Sequence, residues 1–263
     1  MKCRVLTVVV SFPMCIFDHC EFIVKITIMK QLLIASSSSI HGSGYLEYLQ
    51  PALEVFFKGV KNILFLPYAR PQGISFDAYT EIAQQGFDFM GIKVTGIHSF
   101  DDPILAIAKA EAVFVGGGNT FVLVASLYQK GLMTPLKAAI EAGLLFLGTS
   151  AGSNICGPTV QTTNDMPIVY PASLNTLGSI PFNINAHYLD PDPTATHKGE
   201  SRGTRIQEFH VFNELAVLGL REGSWLQVAG NSIVLKGTHQ APLFQKGKDR
   251  IDCSSETDFS FLR

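Results

Sequence analysis

Leu144-Leu145-Phe146-Leu147-Gly148-Thr149-Ser150-Ala151-Gly152-Ser153-Asn154 is the stretch whose reading decides the fold. Four apolar residues of strand type run into Gly-x-Ser-x-Gly, and small residues follow. Between a strand and a helix, that pattern describes a nucleophile elbow. The turn is too tight for side chains at its flanks, and it pushes the serine oxygen into the open. A serine so placed attacks a carbonyl and carries the acyl group as a covalent intermediate. The same letters also suit an ordinary strand-to-helix turn, so the surroundings have to decide.

Outward from the elbow, short apolar strands alternate with helical patterns. Strands are expected at 31–36, 62–67, 92–97, 112–116 and 144–148, and helices near 44–58, 75–90, 102–109, 119–130 and 134–142. Asp102-Pro103 and Thr134-Pro135 are helix starts, with proline at the first helical position. Gly91, Gly131 and Gly143 mark helix ends. Strand and helix in alternation predict an α/β fold with a mostly parallel sheet sandwiched by helices. Such sheets place their sites beyond the carboxyl ends of the strands. Three strand ends carry unusual loops: Ser36-Ser37-Ser38-Ser39, Gly116-Gly117-Gly118-Asn119-Thr120 and the elbow itself. After residue 157 the pattern loosens into loops. It then gives the alternating Pro181-Phe182-Asn183-Ile184-Asn185-Ala186-His187 and, over 215–263, short strands and turns.

Composition narrows the classes. The chain has 263 residues, 47% hydrophobic, enough for a substantial core. A net charge of -2 gives no broad basic face for nucleic acid. Of five cysteines, three (Cys3, Cys15, Cys20) lie in the first twenty residues, leaving Cys156 and Cys253. That is neither a disulfide framework nor a metal cluster, and it suits a reducing, cytoplasmic setting. The first residues hint at a signal peptide, with Lys2 and Arg4 before Val5-Leu6-Thr7-Val8-Val9-Val10. The apolar run falls short of the roughly 20 residues that span a bilayer, so no membrane partner is expected. Residues 1–28 are read as an extension from an alternative start, and 29–263 as one domain.

A serine nucleophile needs a base. Among seven histidines, His187 is the strongest candidate because it ends a strand whose alternate residues Phe182, Ile184 and Ala186 read as buried. Asn183, Asn185 and His187 then share the other face; a solvated strand-end histidine is the plain alternative. The base needs an acid to fix its tautomer. Asp165 lies between nucleophile and histidine, in the chain order Ser…Asp…His that triads use. Glu222 is the rival, and the sequence does not separate the two. The oxyanion needs two backbone N–H donors. Ala151, after the nucleophile, supplies one, and bare backbone at 116–118 the other. Phosphate binding by this loop is disfavoured, because Phe121 stands where a dinucleotide motif needs glycine and a P-loop lysine is absent. Only 16% of residues are charged, so the cluster at 197–205 stands out. It reads either as a solvated helix start or as a recognition segment, with an arginine for a carboxylate and a glutamate for an amine.

Together these motifs resemble the peptidase E family, the α-aspartyl dipeptidases. The segments that carry the resemblance are Val115-Gly116-Gly117-Gly118-Asn119-Thr120-Phe121, Ser150-Ala151-Gly152, Thr162-Thr163-Asn164-Asp165-Met166-Pro167-Ile168-Val169, Ile184-Asn185-Ala186-His187, His197-Lys198-Gly199-Glu200 with Arg202 and Arg205, and Glu222-Gly223-Ser224-Trp225. They run in family order over about 29–245. The resemblance implies a class I glutamine-amidotransferase-like, flavodoxin-like α/β sandwich. It also implies cytoplasmic hydrolysis of dipeptides with an N-terminal aspartate, without metal or cofactor, by a monomer or homodimer whose partners are small peptides. Ser150 would be the nucleophile and His187 the base. Asp165 matches the position usually given to the third member, and Glu222 matches a competing assignment. Gly118 and Ala151 would form the oxyanion hole, and Arg202, with Glu200 and Asn119, would bind the substrate. Thr149 and Ser153 depart from the tryptophan and alanine common in bacterial members, the loop 188–197 differs in length, and 1–28 has no counterpart. Two other readings stand beside this one: a serine peptidase acting on β-aspartyl bonds, as in cyanophycin breakdown, and a non-catalytic relative that binds a metabolite.

Overall fold

Near-continuous apolar runs become the central strands, as expected for parallel strands buried on both faces. The computed structural model describes residues 29–191, 194 and 199–263. The reading of 1–28, and His197 and Lys198 of the charge cluster, lie outside the described residues. The chain alternates β1 (Gln31–Ala35), α1 (Gln50–Phe56), β2 (Asn62–Leu66), α2 (Phe76–Gln85), β3 (Lys93–Gly96), α3 (Pro103–Lys109), β4 (Ala112–Val115), α4 (Thr120–Gln129), α5 (Met133–Glu141) and β5 (Leu145–Thr149). The four-residue α6 (Ala151–Asn154) follows the elbow. Next come β6 (Asn183–Ala186), α7 (Arg202–Phe212), β7 (Val217–Leu220), β8 (Ser224–Ala229), β9 (Ser232–Gly237), β10 (Ala241–Phe244) and β11 (Ile251–Cys253).

Seven strands form one sheet in the order β3-β2-β4-β5-β1-β8-β9. The first five are parallel, and β8 and β9 add an antiparallel edge beside β1. Because β4, β5 and β1 are neighbours, the three unusual loops emerge side by side. Val115 pairs with Gly148, and Ala35 with Thr149, so the glycine loop, Ser150 and Ser36 share one end of the sheet.

Alternate residues of the strands feed two cores. Leu33, Ala35, Phe65 and Phe114 pack with Leu53 of α1 and Tyr79 of α2. Leu32, Ile34, Val113 and Val115 pack with α3, α4 and α5 through Ile107, Leu123 and Leu136. Each fully buried aliphatic or aromatic side chain contributes about 1.5–3 kcal/mol. The expected sandwich differs in one respect. A second sheet, β11-β10-β7-β6, covers part of the same face as α3–α5, joining that core through Ile184, Leu218, Leu220 and Leu243. Phe182, Ile184 and Ala186 are buried as the alternation predicts. Asn183 and Asn185 are buried too, at 0% and 3% exposure, because loop 159–164 covers their face and hydrogen-bonds both side chains. Among the described residues no helix is long and apolar enough to cross a membrane.

The elbow is held by backbone contact. A Cβ on Gly152 would strike the Val115 carbonyl of β4, and one on Gly148 would lie 2.5 Å from the Gly152 oxygen. Ser153, one of the departures from the family pattern, is fully buried, its hydroxyl within reach of the Ala35 (2.6 Å) and Gly148 (2.8 Å) carbonyls. Gly152→Ala is expected to cost about 1–3 kcal/mol by overpacking, seen as a lower urea midpoint at unchanged slope. A midpoint equal to the parent's would show that the elbow tolerates separation from β4.

Candidate active site

Ser150 sits at the carboxyl end of β5 with φ 53 and ψ -108, in the left-handed half of backbone space that non-glycine residues avoid. Its N–H donates to the Ala35 carbonyl at 3.2 Å, tying the strained residue to β1. The Oγ is then presented to His187, whose Nε2 lies 2.8 Å away. On the other side of the ring, Nδ1 lies 2.8 Å from Glu222 Oε1. With Nδ1–H donating to the carboxylate, Nε2 is left to accept the serine proton. This is the tautomer a general base requires.

Which carboxylate meets His187 follows from strand register. β6 and β7 are parallel neighbours, and Ala186 pairs with Leu220. His187 comes one residue after this pair and Glu222 two residues after it, so both leave the small sheet at the same end, beyond the carboxyl termini of β6 and β7. Asp165, expected as the usual third member, makes no hydrogen bond to His187. Its Oδ2 instead accepts from the Thr120 N–H at 2.7 Å, the Thr120 hydroxyl at 2.5 Å and the Thr163 hydroxyl at 3.1 Å. The physical reason is the amino terminus of α4, whose free N–H and partial positive charge attract a carboxylate. Of the two candidate acids, the structure brings Glu222 to the histidine and Asp165 to α4.

The glycine loop faces Ser150. The Cβ position of Gly117 would lie 3.0 Å from the Ser150 Cβ. Gly118 has φ +143, and a Cβ there would strike the Ala69 carbonyl, so only glycine fits. Among the described residues neither the Gly118 nor the Ala151 N–H has a hydrogen-bond acceptor. Two unpaired donors flanking a serine oxygen are what an oxyanion hole requires. Asn119 is already committed: its Oδ1 accepts from Val122 N–H at 3.1 Å as the α4 cap, and its Nδ2 donates to the Met166 carbonyl at 2.9 Å. It braces the loop, and one amide N–H remains beyond these two bonds.

The charge cluster resolves into a helix start with one residue turned inward. Ser201 caps α7 by accepting from Thr204 N–H at 3.0 Å. Arg202 is half-buried, and its Nη1 is buried without a partner. Burial pulls this guanidinium below its usual value; Tyr188 and Glu222 oppose that effect and Arg205 adds to it. Arg202 therefore feels the carboxylate that holds His187. Glu200 is exposed and pairs with none of the described side chains. Beside the site, burial pushes the Tyr48 hydroxyl up to about 12, so it stays a neutral donor to the Ser37 carbonyl at 2.7 Å.

Two supports escape a sequence reading. Tyr79 donates to the Gly117 carbonyl at 2.9 Å, from a helix with no motif to mark it. Ser36 accepts from the His187 N–H at 3.0 Å and donates to the Leu220 carbonyl at 2.7 Å. One buried hydroxyl thus joins β1 to both strand ends that carry the histidine and the glutamate. The serine run after β1 is the visible signal; its long-range partners are not. Ser36→Ala would leave the His187 N–H unpaired and the Leu220 carbonyl with the Tyr188 N–H as its remaining donor, and is expected to lower stability by about 1–3 kcal/mol. Urea unfolding checks this, and an unchanged midpoint would mean that water replaces the hydroxyl without loss.

Comparison with known proteins follows the same lines. The model of peptidase family S51 matches residues 32–236. A peptidase E of Streptomyces coelicolor is 46% identical over 88% of this chain and 94% of its own length. A Drosophila melanogaster protein named probable alpha-aspartyl dipeptidase is 43% identical over 89% of this chain and 97% of its own. The crystal structure of a peptidase from an acI-B1 Actinobacterium shares the fold, with a TM-score of 0.65 at 15% identity over 88% of this chain and 97% of that one.

Proposed function

The chain belongs to peptidase family S51 and is a serine peptidase; we propose that it hydrolyses dipeptides with an N-terminal aspartate, with Ser150 as nucleophile, His187 as base and Glu222 as the acid that holds the ring. The observation that carries this reading is the unbroken chain Ser150 Oγ, His187 Nε2, His187 Nδ1 and Glu222 Oε1, each link 2.8 Å.

The steps follow from the geometry. Ser150 Oγ attacks the carbonyl carbon of the aspartyl residue while its proton passes to His187 Nε2. The carbonyl oxygen becomes an oxyanion facing the free N–H groups of Gly118 and Ala151, an arrangement worth about a hundred- to a thousandfold in rate per donor. Collapse breaks the C–N bond, and the imidazolium returns its proton to the leaving amine. Water, deprotonated by the same nitrogen, then releases aspartate from Ser150. Glu222 stabilises the imidazolium without taking its proton. Arg202 is the group for the aspartyl side-chain carboxylate: a guanidinium with a buried, unpaired N–H gains two charge-assisted hydrogen bonds from such a ligand. The free thiols of Cys156 and Cys253 are consistent with a cytoplasmic setting.

Ser150→Ala is expected to abolish hydrolysis of Asp-Leu with unchanged urea unfolding; retained turnover would refute the nucleophile. Glu222→Gln should lower kcat by roughly 10²–10⁴, on the scale seen when a triad acid is neutralised. A panel of Asp-, Asn-, Glu- and isoAsp-Leu tests the substrate. Asp-Leu should lead by about a hundredfold, because a site built for a charged group rejects the analogue that leaves it unpaired. Preference for isoAsp-Leu would move the assignment to β-aspartyl bonds, and binding without turnover of any member would favour the non-catalytic reading.

A further inference from the structure

We propose that Asp165 is a positioning residue for the oxyanion hole. It holds the turn at 116–120 so that the Gly118 N–H meets the oxyanion, and it does not act through His187. The inference rests on the serine-peptidase reading and concerns a carboxylate which that reading leaves without a role.

The turn carries the donor two residues before α4 begins. On the upstream side it is fixed by pairing of β4 and by the Tyr79 hydroxyl on the Gly117 carbonyl. In the middle, the Asn119 N–H donates to Ala69 at 2.7 Å. On the downstream side the charged anchor is Asp165, gripping Thr120 through both its N–H and its hydroxyl. A shift of the Thr120 amide rotates the two peptides before it, and the first of these bears the Gly118 donor. Charge matters here, because the carboxylate also faces the positive end of the ten-residue α4.

The Asp165–Thr120 contact is tied into the rest of the site. Asn154, the last residue of α6 and buried, donates to the hydroxyls of Thr120 (3.0 Å) and Thr163 (3.1 Å). Its Oδ1 accepts from the Ala186 N–H at 3.4 Å, next to His187. Thr163 in turn reaches both Thr120 and Asp165 at 3.1 Å. The elbow helix, the glycine loop and the strand before the histidine thus converge on one polar cluster whose only anion among the described residues is Asp165. All three donors meet one oxygen, Oδ2, so an amide oxygen in its place keeps the contacts and loses the charge that strengthens them and faces the α4 terminus.

The test compares Asp165→Asn, Thr120→Val, Thr120→Ser and Glu222→Gln with the full-length parent on Asp-Leu. Rates are normalised to active sites titrated with a fluorophosphonate. Asp165→Asn should lower kcat about ten- to a hundredfold, part of the loss for removing a whole oxyanion donor, with KM within about twofold. The pH at which kcat/KM falls on the acid side should stay where the parent has it. Inhibition by a boronic-acid analogue of aspartate, whose boron accepts Ser150 Oγ and becomes a tetrahedral anion, should weaken by the same factor as kcat/KM. Thr120→Val should lose rate in the same direction, and Thr120→Ser should recover most of it. The proposal is overturned if Asp165→Asn moves the acid-side fall, if only KM changes, if boronate inhibition is unaltered, or if the loss vanishes on normalising to active sites. Failure of the parent to turn over Asp-Leu would instead sink the functional reading, so the two outcomes are distinct.

Discussion

The left-handed backbone of Ser150 is the constraint on which the site depends. A non-glycine residue at φ 53 costs on the order of 1–3 kcal/mol and persists only where its surroundings over-determine it. Here they do. The Ser150 N–H is tied to Ala35, Ser153 lies between the Ala35 and Gly148 carbonyls, and Gly152 packs against β4 with no room for a Cβ. Apart from the Gly148 carbonyl of β5 itself, these restraints come from the strands next to β5, and the order β4-β5-β1 makes them possible. Released from these contacts, the serine would relax toward a helical turn and its oxygen would leave the histidine.

The histidine poses the same problem on a different sheet. His187 also has positive φ, at 55, and directly follows a four-residue strand. It is fixed by Ser36 through its backbone and by Glu222 through its ring. The proposed triad therefore bridges two layers: Ser150 comes from the large sheet, His187 and Glu222 from the small one. Ser36, at the end of β1, is the stitch between them. This division explains why so much buried polar structure gathers around few reacting atoms. Two independently built layers have to be held in register to within a hydrogen-bond length.

What the sequence made legible was local or periodic. The parallel strands showed in their apolar runs, the elbow in two glycines that only close backbone approach requires, and the α3 start in Asp102, whose side chain accepts from Leu105 N–H at 2.9 Å. His187 was legible as a candidate because it follows an alternating strand. Its carboxylate partner was not, because the choice between Asp165 and Glu222 is a matter of register between β6 and β7, whose pairing joins residues 34 apart in the chain, as Ala186 and Leu220 do. Chain order favoured Asp165, and turn chemistry made it look like a loop carboxylate. The competing attraction of the α4 terminus decided its place. Burial of Asn183 and Asn185 was hidden for a similar reason: the loop that satisfies their amides arrives from 21 to 24 residues earlier. Arg202 was visible as a charge; the burial of its unpaired nitrogen was not.

The most direct test of the central claim is to trap the acyl-enzyme. The protein is mixed with an activated aspartyl ester, quenched in acid within the first turnover, digested and mapped by mass spectrometry. The account predicts an aspartyl group on the peptide containing Ser150, present in the parent at near-stoichiometric yield and absent from Ser150→Ala. Turnover of the ester with no adduct on Ser150, or an adduct on another residue, would contradict it.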